Sequence, residues 1–425
     1  MGIPNLSTNT QNNIARNHHY VWQYYLRPWA QNNSKHKATL IESGNECQSY
    51  RKIVCFNKNN VSLFNQNGCK IDISDNKELV QRLCNVSNNK ELEIELHKNL
   101  SYLINQGLYA DNGQMFCFNK NTNQVFPSHT KTIVTEKDFY KVNQLTSEDL
   151  FYIKSMAFSN KNIPCEALTK WNDVYETIFA LQKLFNHFHP KDSESKQLKH
   201  VLQKTECELV EKMHTLIEIK GSKYIDLIRV QDINFVQNEE SRLEFLFFLS
   251  VQYVRTEKIK TSISSMITRN QENDKAIIEI FKNSVNTISD TISRHYNLIA
   301  FNYAWFYAYE LINYKITLLK NSTDINFITC DQPVVNTDSM NENIGIKKLE
   351  IYYPITPKLA ILVSKETQPI QHIPVVKQLN IDEVTYYNDL ILYIASQYIF
   401  ASSCNQIELI KAGFPMQRKI WADTL

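Results

Sequence analysis

Three segments of the sequence place acid–base or cationic side chains in apolar or aromatic surroundings. The first is the run His18-His19-Tyr20-Val21-Trp22-Gln23-Tyr24-Tyr25-Leu26-Arg27-Pro28-Trp29. If this run is helical, His18 precedes a face shared by His19, Gln23 and Arg27, and Tyr20 lies beside that face. An imidazole next to a guanidinium and phenols suits proton transfer or phosphate binding. The structural alternative is an aromatic helix that docks on the core.

The second segment is the apolar run 243–254 within a predicted helix over 239–260. It contains Gln252 and is followed directly by Arg255 and Thr256. A guanidinium that emerges from such a run must be paired or solvated. The pattern therefore predicts either an internal salt bridge or an anion-binding site.

The third segment is 327–335, in which Asp331 stands between two apolar strand-like pieces and Pro333 follows. Proline ends a strand ladder, so Asp331 is expected at a strand end or bulge, where active-site groups often stand. An Asx-type turn that holds its own backbone is the alternative.

Two weaker patterns also suggest chemistry. His187 and His189 form a His-x-His pair that could ligate a metal, although no acid follows at ligand spacing. Glu218 and Lys220, with Asp192 upstream, have the Glu-x-Lys spacing of a restriction-type nuclease strand. The same residues also fit the end of a helix, which we favour.

Hydrophobic periodicity predicts a helix-rich α+β protein, in which a central helical region packs with a small sheet built from N-terminal hairpins and C-terminal strands. Hairpins are predicted over 53–64 and 115–126, and a last helix and strand over 381–396 and 397–402. Helices are predicted over 77–106, 167–188, 197–220, 239–260, 274–296 and 298–319, and further strands over 325–335, 349–353 and 360–364.

No linker of proline, glycine and serine divides the chain, so we expect one large domain over 1–425. Its three parts are a mixed α/β part with two hairpins (15–163), a helical part (164–320) and an α+β C-terminal part (321–425).

The composition removes several classes of function. The 8 Gly, of which Gly107 and Gly113 are the closest pair, exclude a dinucleotide fingerprint, a Walker loop and a nucleophile elbow. A net charge of +2 leaves no global basic surface, so any nucleic-acid site must be local. Because the chain has 10 Arg against 36 Lys, Arg27 and Arg255 stand out from the background.

The sequence also bears on location. Residues 1–6 contain no apolar secretion core and no myristoylation signal. The most apolar windows, 243–254 and 298–309, are too short to span a bilayer. The nine Cys include no C-x-x-C, which indicates reduced thiols. We expect a cytoplasmic protein without a membrane anchor.

The motif HHYVWQYYLRPW at 18–29 resembles the N-terminal motif of domain-of-unknown-function family 4238, an uncharacterised and mostly bacterial family whose members begin with a string like HHYVPQFYLRRF. Trp22 replaces the family's proline, so we expect the segment to continue as a helix here. Cys330 stands where the family usually has serine, which argues against a cysteine nucleophile. His19, Arg255 and Asp331 match the family. The other similar segments are 134–140, 252–256 (the family's Q-x-x-R-T), 329–335 (its TSDNPV), 353–360, 379–380 and 395–400.

The resemblance implies a role in bacterial conflict or phage defence, with an operon-encoded partner. Our hypothesis is a nuclease, with RNA favoured. His19 would be the general acid/base, Arg255 would stabilise developing negative charge, and Asp331 would orient the histidine or hold Mg²⁺ or Mn²⁺. Whether any metal cofactor is used, and the oligomeric state, stay open.

Around this trio, the hypothesis assigns substrate binding to His18, Tyr20, Gln23, Arg27, Gln252 and Thr256. The alternative is a non-enzymatic sensor or interaction protein. Its ligand or partner groove would be aromatic, formed by 298–309 and 20–29.

Overall fold

The computed structural model describes residues 17–30, 38–41, 54–57, 62–65, 70–99, 102–103, 114–130, 133–159, 161, 163–187, 193–262, 275–338, 349–366 and 372–424. The helices include α1 (Gln23–Leu26), α2 (Lys77–Cys84), α3 (Asn89–Lys98), α4 (Ser147–Ser159), α5 (Cys165–His187), α6 (Ser193–Arg229), α7 (Glu239–Val254), α8 (Lys275–Leu311), α9 (Ile381–Ile394) and α10 (Cys404–Thr424), with 3₁₀ turns at Arg27–Trp29 and Asn234–Gln237.

Short strands alternate with these helices. They are β1 (Asn17–His19), β2 (Ala38–Ile41), β3 (Val54–Asn57), β4 (Ser62–Asn65), β5 (Lys70–Ile71), β6 (Gln114–Asn119), β7 (Gln124–His129), β8 (Thr135–Lys137), β9 (Lys315–Asn321), β10 (Thr329–Cys330), β11 (Val335–Asn336), β12 (Ile351–Thr356), β13 (Leu359–Ser364), β14 (Val375–Leu379) and β15 (Tyr398–Ala401). The fold is a helix-rich α+β fold, as predicted.

Both predicted hairpins are present. Strands β3 and β4 pair antiparallel, and so do β6 and β7. They belong to different sheets, of order β2-β3-β4-β5 and β10-β15-β6-β7. The second sheet thus joins an N-terminal hairpin to two C-terminal strands, whereas the first hairpin lies against α2 and α3 through Leu63, Leu79 and Leu92.

The helix prediction over 298–319 is wrong at its end. The two helices predicted over 274–296 and 298–319 are one helix, α8, which stops at Leu311, and Lys315–Asn321 is strand β9. This strand lies between β13 and β14 in the sheet β11-β12-β13-β9-β14. Ladder hydrogen bonds on both sides, with Ile316 and Thr317 favouring the extended state, outweigh the helical periodicity of the leucines.

The strand predicted over 325–335 is reduced to the two-residue strands β10 and β11, which belong to different sheets. Asp331 and Pro333 lie between them, where a proline cannot donate to a ladder. The predicted helices over 77–106 and 239–260 are also interrupted. The first breaks after α2, and in the second a turn follows α7 before helix resumes at 257–262.

The chain packs as two compact units. The first contains Met1–His18, Glu136–Leu216 and Gln271–Ile299, and the second contains His19–Thr135, Ile217–Asn270 and Ala300–Leu425. The expectation of one large domain stays a prediction. In the described part of the chain, no helix combines the length and the apolar character needed to cross a membrane.

In the first unit, a buried carboxylate anchors helix α4. Asp149 accepts hydrogen bonds from the backbone N–H and hydroxyl of Thr146 at the helix start. It also accepts one from Thr291 at 2.7 Å and one from Arg294 at 2.9 Å. Burial alone would raise the pKa of Asp149, but these donors and the nearby His295 lower it below its usual value.

In the second unit, residues of the five-stranded sheet and of helix α9 share one buried hydrophobic cluster. Strand β12 is buried along its whole length. Tyr352 stacks on Tyr387 of α9 at a ring-centroid distance of 4.3 Å. An Asn380–Glu383 capping box starts α9.

Candidate functional site

The N-terminal motif is not a continuous helix. Residues 17–19 form β1, helix α1 covers only four residues, and Trp22 at its N-cap is extended. The backbone N–H of Tyr20 donates to the Val134 carbonyl at 3.2 Å. Strand pairing therefore uses the backbone groups that a helix over 18–22 would need, and the expectation that Trp22 extends the helix is wrong.

His19 nevertheless contacts Gln23. The Gln23 side-chain nitrogen lies 2.7 Å from Nε2 and 3.2 Å from Nδ1 of the imidazole, and both side chains are half-buried. Tyr20 and Arg27 are half-buried as well. The guanidinium carbon of Arg27 lies 5.4 Å from the centre of the Tyr24 ring.

His18 is buried within the first unit. Its Nδ1 accepts a hydrogen bond from the backbone N–H of Tyr140 at 3.0 Å. The tautomer is therefore the one protonated on Nε2, and this nitrogen lies 3.8 Å from the Glu211 carboxylate. These contacts hold His18 inside the first unit, and the binding role predicted for it stays a prediction.

Arg255 is the C-cap residue of α7 and is buried. Its Nε donates to the Tyr20 carbonyl at 2.9 Å, and a terminal nitrogen donates to Glu218 of α6 at 2.5 Å. The internal salt bridge foreseen as one alternative is present. Through it, one guanidinium joins the residue after His19 to the carboxylate of the Glu-x-Lys pair.

The other polar residues at the end of α7 are buried around Tyr253. The Thr256 hydroxyl donates to the Tyr253 carbonyl at 3.3 Å. Gln332 directs its amide to the same carbonyl at 3.5 Å and to Val334 at 3.3 Å. The amide nitrogen of Gln252 is buried, and no hydrogen-bond partner for it occurs in the described residues.

Asp331 directly follows β10, as its predicted strand-end position requires, but it forms no Asx turn. Its carboxylate accepts the backbone N–H groups of Ser396, Gln397 and Tyr398 at 2.9, 2.6 and 2.9 Å. Its own N–H donates to the Tyr398 carbonyl. Burial raises the pKa of Asp331, while the three amide donors act in the opposite direction. Asp331 thus ties β10 to the connection between α9 and β15.

Two tyrosines of the N-terminal motif contact distant parts of the second unit. The Tyr25 hydroxyl is 2.5 Å from the Thr329 hydroxyl, and its ring stacks on Tyr353 at 4.9 Å. Tyr24 contacts α6, where its hydroxyl donates to Asp226 and its carbonyl accepts from Arg229 at 3.1 Å. Together with Arg255, these contacts interlock the segments 18–29, 252–256, 329–335 and 353–360.

The residues that sequence reasoning missed lie on α6 and β12. Arg229 and Asp226 belong to none of the motifs above, and the sequence signal for Arg229 is the rarity of arginine. Glu218 was noted above only as part of the Glu-x-Lys pair. Tyr353 lies in a quoted motif without having been singled out. Burial raises the pKa of its hydroxyl, while Arg255 and Arg229 act against the rise.

The weaker candidate sites of the sequence have different outcomes in the structure. Glu218 and Lys220 lie in the middle of α6, so the restriction-type nuclease strand is wrong. The His-x-His pair includes His189, which lies outside the described residues. Burial raises the pKa of Cys330 well above its usual value, which disfavours a thiolate. In the described ranges, no group of three or more His, Cys, Asp and Glu is arranged to hold a metal ion.

A comparison with protein-family models matches nearly the whole chain, including the four interlocked segments. Residues 17–405 match the sequence model of the family described as "Protein of unknown function (DUF4238)". The chain belongs to the DUF4238 family. No curated protein and no solved structure matches it.

The DUF4238 match covers all four interlocked segments, because it spans residues 17–405. The candidate site is therefore the region of the second unit where Tyr20, Arg255 and Glu218 meet.

Proposed function

We propose that this DUF4238 protein cleaves nucleic acid, with RNA as the favoured substrate, as an effector of bacterial conflict or phage defence. The observation that supports it best is the Arg255 guanidinium, which binds both the Tyr20 carbonyl and the Glu218 carboxylate. A cation, a carboxylate and the half-buried His19 next in sequence to Tyr20 are thus gathered in one region. These are the groups that phosphodiester cleavage uses.

In this proposal the three predicted residues have different tasks. His19 transfers a proton and is oriented by Gln23. Arg255 stabilises the negative charge that develops on phosphorus oxygens, which its delocalised cation suits. Both carboxylate oxygens of Asp331 are engaged by backbone amides, so we assign Asp331 a positioning role for the loop that contains Gln332.

The test is a cleavage assay on purified full-length protein. End-labelled RNA, single-stranded DNA and duplex DNA are each incubated with Mg²⁺, Mn²⁺ or EDTA. RNA should be shortened, and His19→Ala should slow the reaction by about 10²- to 10⁴-fold, the usual contribution of a general acid/base. His200→Ala is the matched control because His200 is exposed on α6. Intact substrates in every condition, or equal rates for wild type and His19→Ala, would refute the proposal.

A second candidate function is binding without cleavage. Trp305 of α8 stacks on Phe247 of α7 at 4.1 Å, Tyr309 lies 5.9 Å from Trp305, and the neighbouring Phe306 is 49% exposed. Partly exposed aromatic rings can stack on nucleobases. An oligoribonucleotide that stays intact, and whose binding is lost in Trp305→Ala but kept in His19→Ala, would favour this alternative.

A further inference from the structure

Glu218 is a carboxylate placed at the candidate site by tertiary structure alone. It lies on α6, and its Oε1 accepts from Arg255 at 2.5 Å. Its side chain is 15% exposed, whereas that of Arg255 is 2% exposed. Of the two ion-paired groups, the carboxylate is therefore the one nearer to solvent and to an incoming substrate.

The position of Glu218 is braced by the packing of α6 on α7. Gly221, one turn after Glu218, faces the ring of Phe248, and a Cβ on Gly221 would lie only 2.1 Å from a ring carbon. The same two helices are joined where Lys223 and Tyr224 donate to Glu244 at 2.7 and 2.6 Å. Close packing and short hydrogen bonds within the next two turns of α6 hold a side chain in one geometry, as an acid–base group requires.

The comparison with Asp331 separates the two acids. Asp331 is 4% exposed and binds three backbone amides, so taking up a proton would break the bonds that hold its loop. Glu218 is bound by the guanidinium of Arg255, which keeps its charge when the carboxylate takes up a proton. Proton transfer at Glu218 therefore leaves the fold intact.

We propose that Glu218 is the general base of the site and that the substrate is RNA, attacked by its own 2′-hydroxyl. This inference rests on the proposed nuclease function. Glu218 takes the proton of the 2′-OH, and O2′ forms a bond to phosphorus while the P–O5′ bond breaks. O5′ takes a proton from protonated His19, and Arg255 stabilises the charged phosphorane. The products are a 2′,3′-cyclic phosphate and a 5′-hydroxyl, and no metal takes part in these steps.

The experiment uses the full chain and two oligonucleotides in EDTA, one of RNA and one with 2′-O-methyl groups throughout. Wild type should cut only the RNA and leave cyclic phosphate ends, identified by mass spectrometry. Glu218→Gln should lower the rate by about 10²- to 10⁴-fold and remove the rise in rate with pH on the acid side. Glu257→Gln is the control, because Glu257 lies near Arg255 in sequence but is exposed and pairs with Lys260.

The outcomes distinguish this inference from the proposed function. Cleavage that leaves 3′-hydroxyl and 5′-phosphate ends, cleavage of the 2′-O-methyl strand, or a wild-type rate for Glu218→Gln overturns the role of Glu218 and leaves the nuclease proposal standing. No cleavage of any nucleic acid with any ion overturns the nuclease proposal itself. Circular dichroism of Glu218→Gln and partial rescue by Glu218→Asp show that the loss is chemical, whereas an unfolded Glu218→Gln shifts the decision to the wild-type products.

Discussion

Removal of the Asp331 carboxylate should destabilise the protein more than removal of an exposed acid. Three backbone N–H groups, at 396–398, lose a charged acceptor, and such bonds contribute about 1.5–3 kcal/mol each. Release of a buried charge returns several kcal/mol of desolvation cost. The difference leaves a net loss of about 3 kcal/mol in the free energy of unfolding for Asp331→Ala.

The assay is thermal unfolding of purified variants, followed by circular dichroism. With an unfolding entropy of about 2.1 cal/mol/K per residue, cooperative unfolding of a chain of 425 residues turns this loss into a fall of roughly 3 °C in Tm. Asp331→Asn keeps the shape of the side chain but loses its charge, and its NH₂ group is a donor that faces the amide donors. The Tm of Asp331→Asn should therefore fall at least as far as that of Asp331→Ala. Asp173→Ala, exposed on α5, is the control and should stay within about 0.5 kcal/mol of wild type.

One result would refute this reasoning. If Asp331→Ala has the Tm of the wild type while its nuclease rate is lost, the carboxylate does not hold the loop and acts on the substrate. If the Tm and the nuclease rate both fall, and fall in the same proportion in Asp331→Asn, the positioning role is supported.

Three further predictions follow from the packing and hydrogen bonding. Gly221→Ala should lower Tm, because the added methyl meets the Phe248 ring, and Gly221→Ala combined with Phe248→Ala should recover part of the loss in a double-mutant cycle. Asp149 has a lowered pKa, so its stabilisation is complete above about pH 4, the unfolded value, and is lost as the pH falls further. Urea unfolding between pH 2 and 6 should therefore show a shallower acid decline in Asp149→Asn than in wild type. Tyr25→Phe removes the hydroxyl bond to Thr329 and should cost about 0.5–1.5 kcal/mol by urea unfolding, and an unchanged midpoint would contradict that bond.

The fold was predictable where local pattern and tertiary packing agree. The hairpins around 53–64 and 115–126, helix α5 and helix α9 follow from alternation and helical periodicity and occur where predicted. At Lys315–Asn321 the leucine pattern favoured helix, but two neighbouring strands supply hydrogen bonds that periodicity does not record. At 18–22 the backbone hydrogen bond from Tyr20 to the distant Val134 had the same effect.

The sequence predicted the residue types of the candidate site but not which residues bind them. Arg255 was singled out because a guanidinium in an apolar run needs compensation, and the structure supplies it with an internal carboxylate. The pairing of Arg255 with Glu218 could not be predicted, because the two residues are 37 positions apart and nothing in the Glu-x-Lys pattern points to Arg255. Asp331 was placed correctly after a strand, but its three amide donors lie about 65 residues further along.

The sequence by itself determined the fold class and the family, and it supplied a short set of candidate positions for chemistry. Composition, periodicity and motif strings are local properties, and they suffice to show that His19, Arg255 and Asp331 are unusual in their surroundings. Only the tertiary structure decided which of these groups meet. Hydrogen bonds and ion pairs between distant segments depend on how helices and sheets pack, so the pairing of Arg255 with Glu218 and of Asp331 with the 396–398 amides exists only in the folded chain.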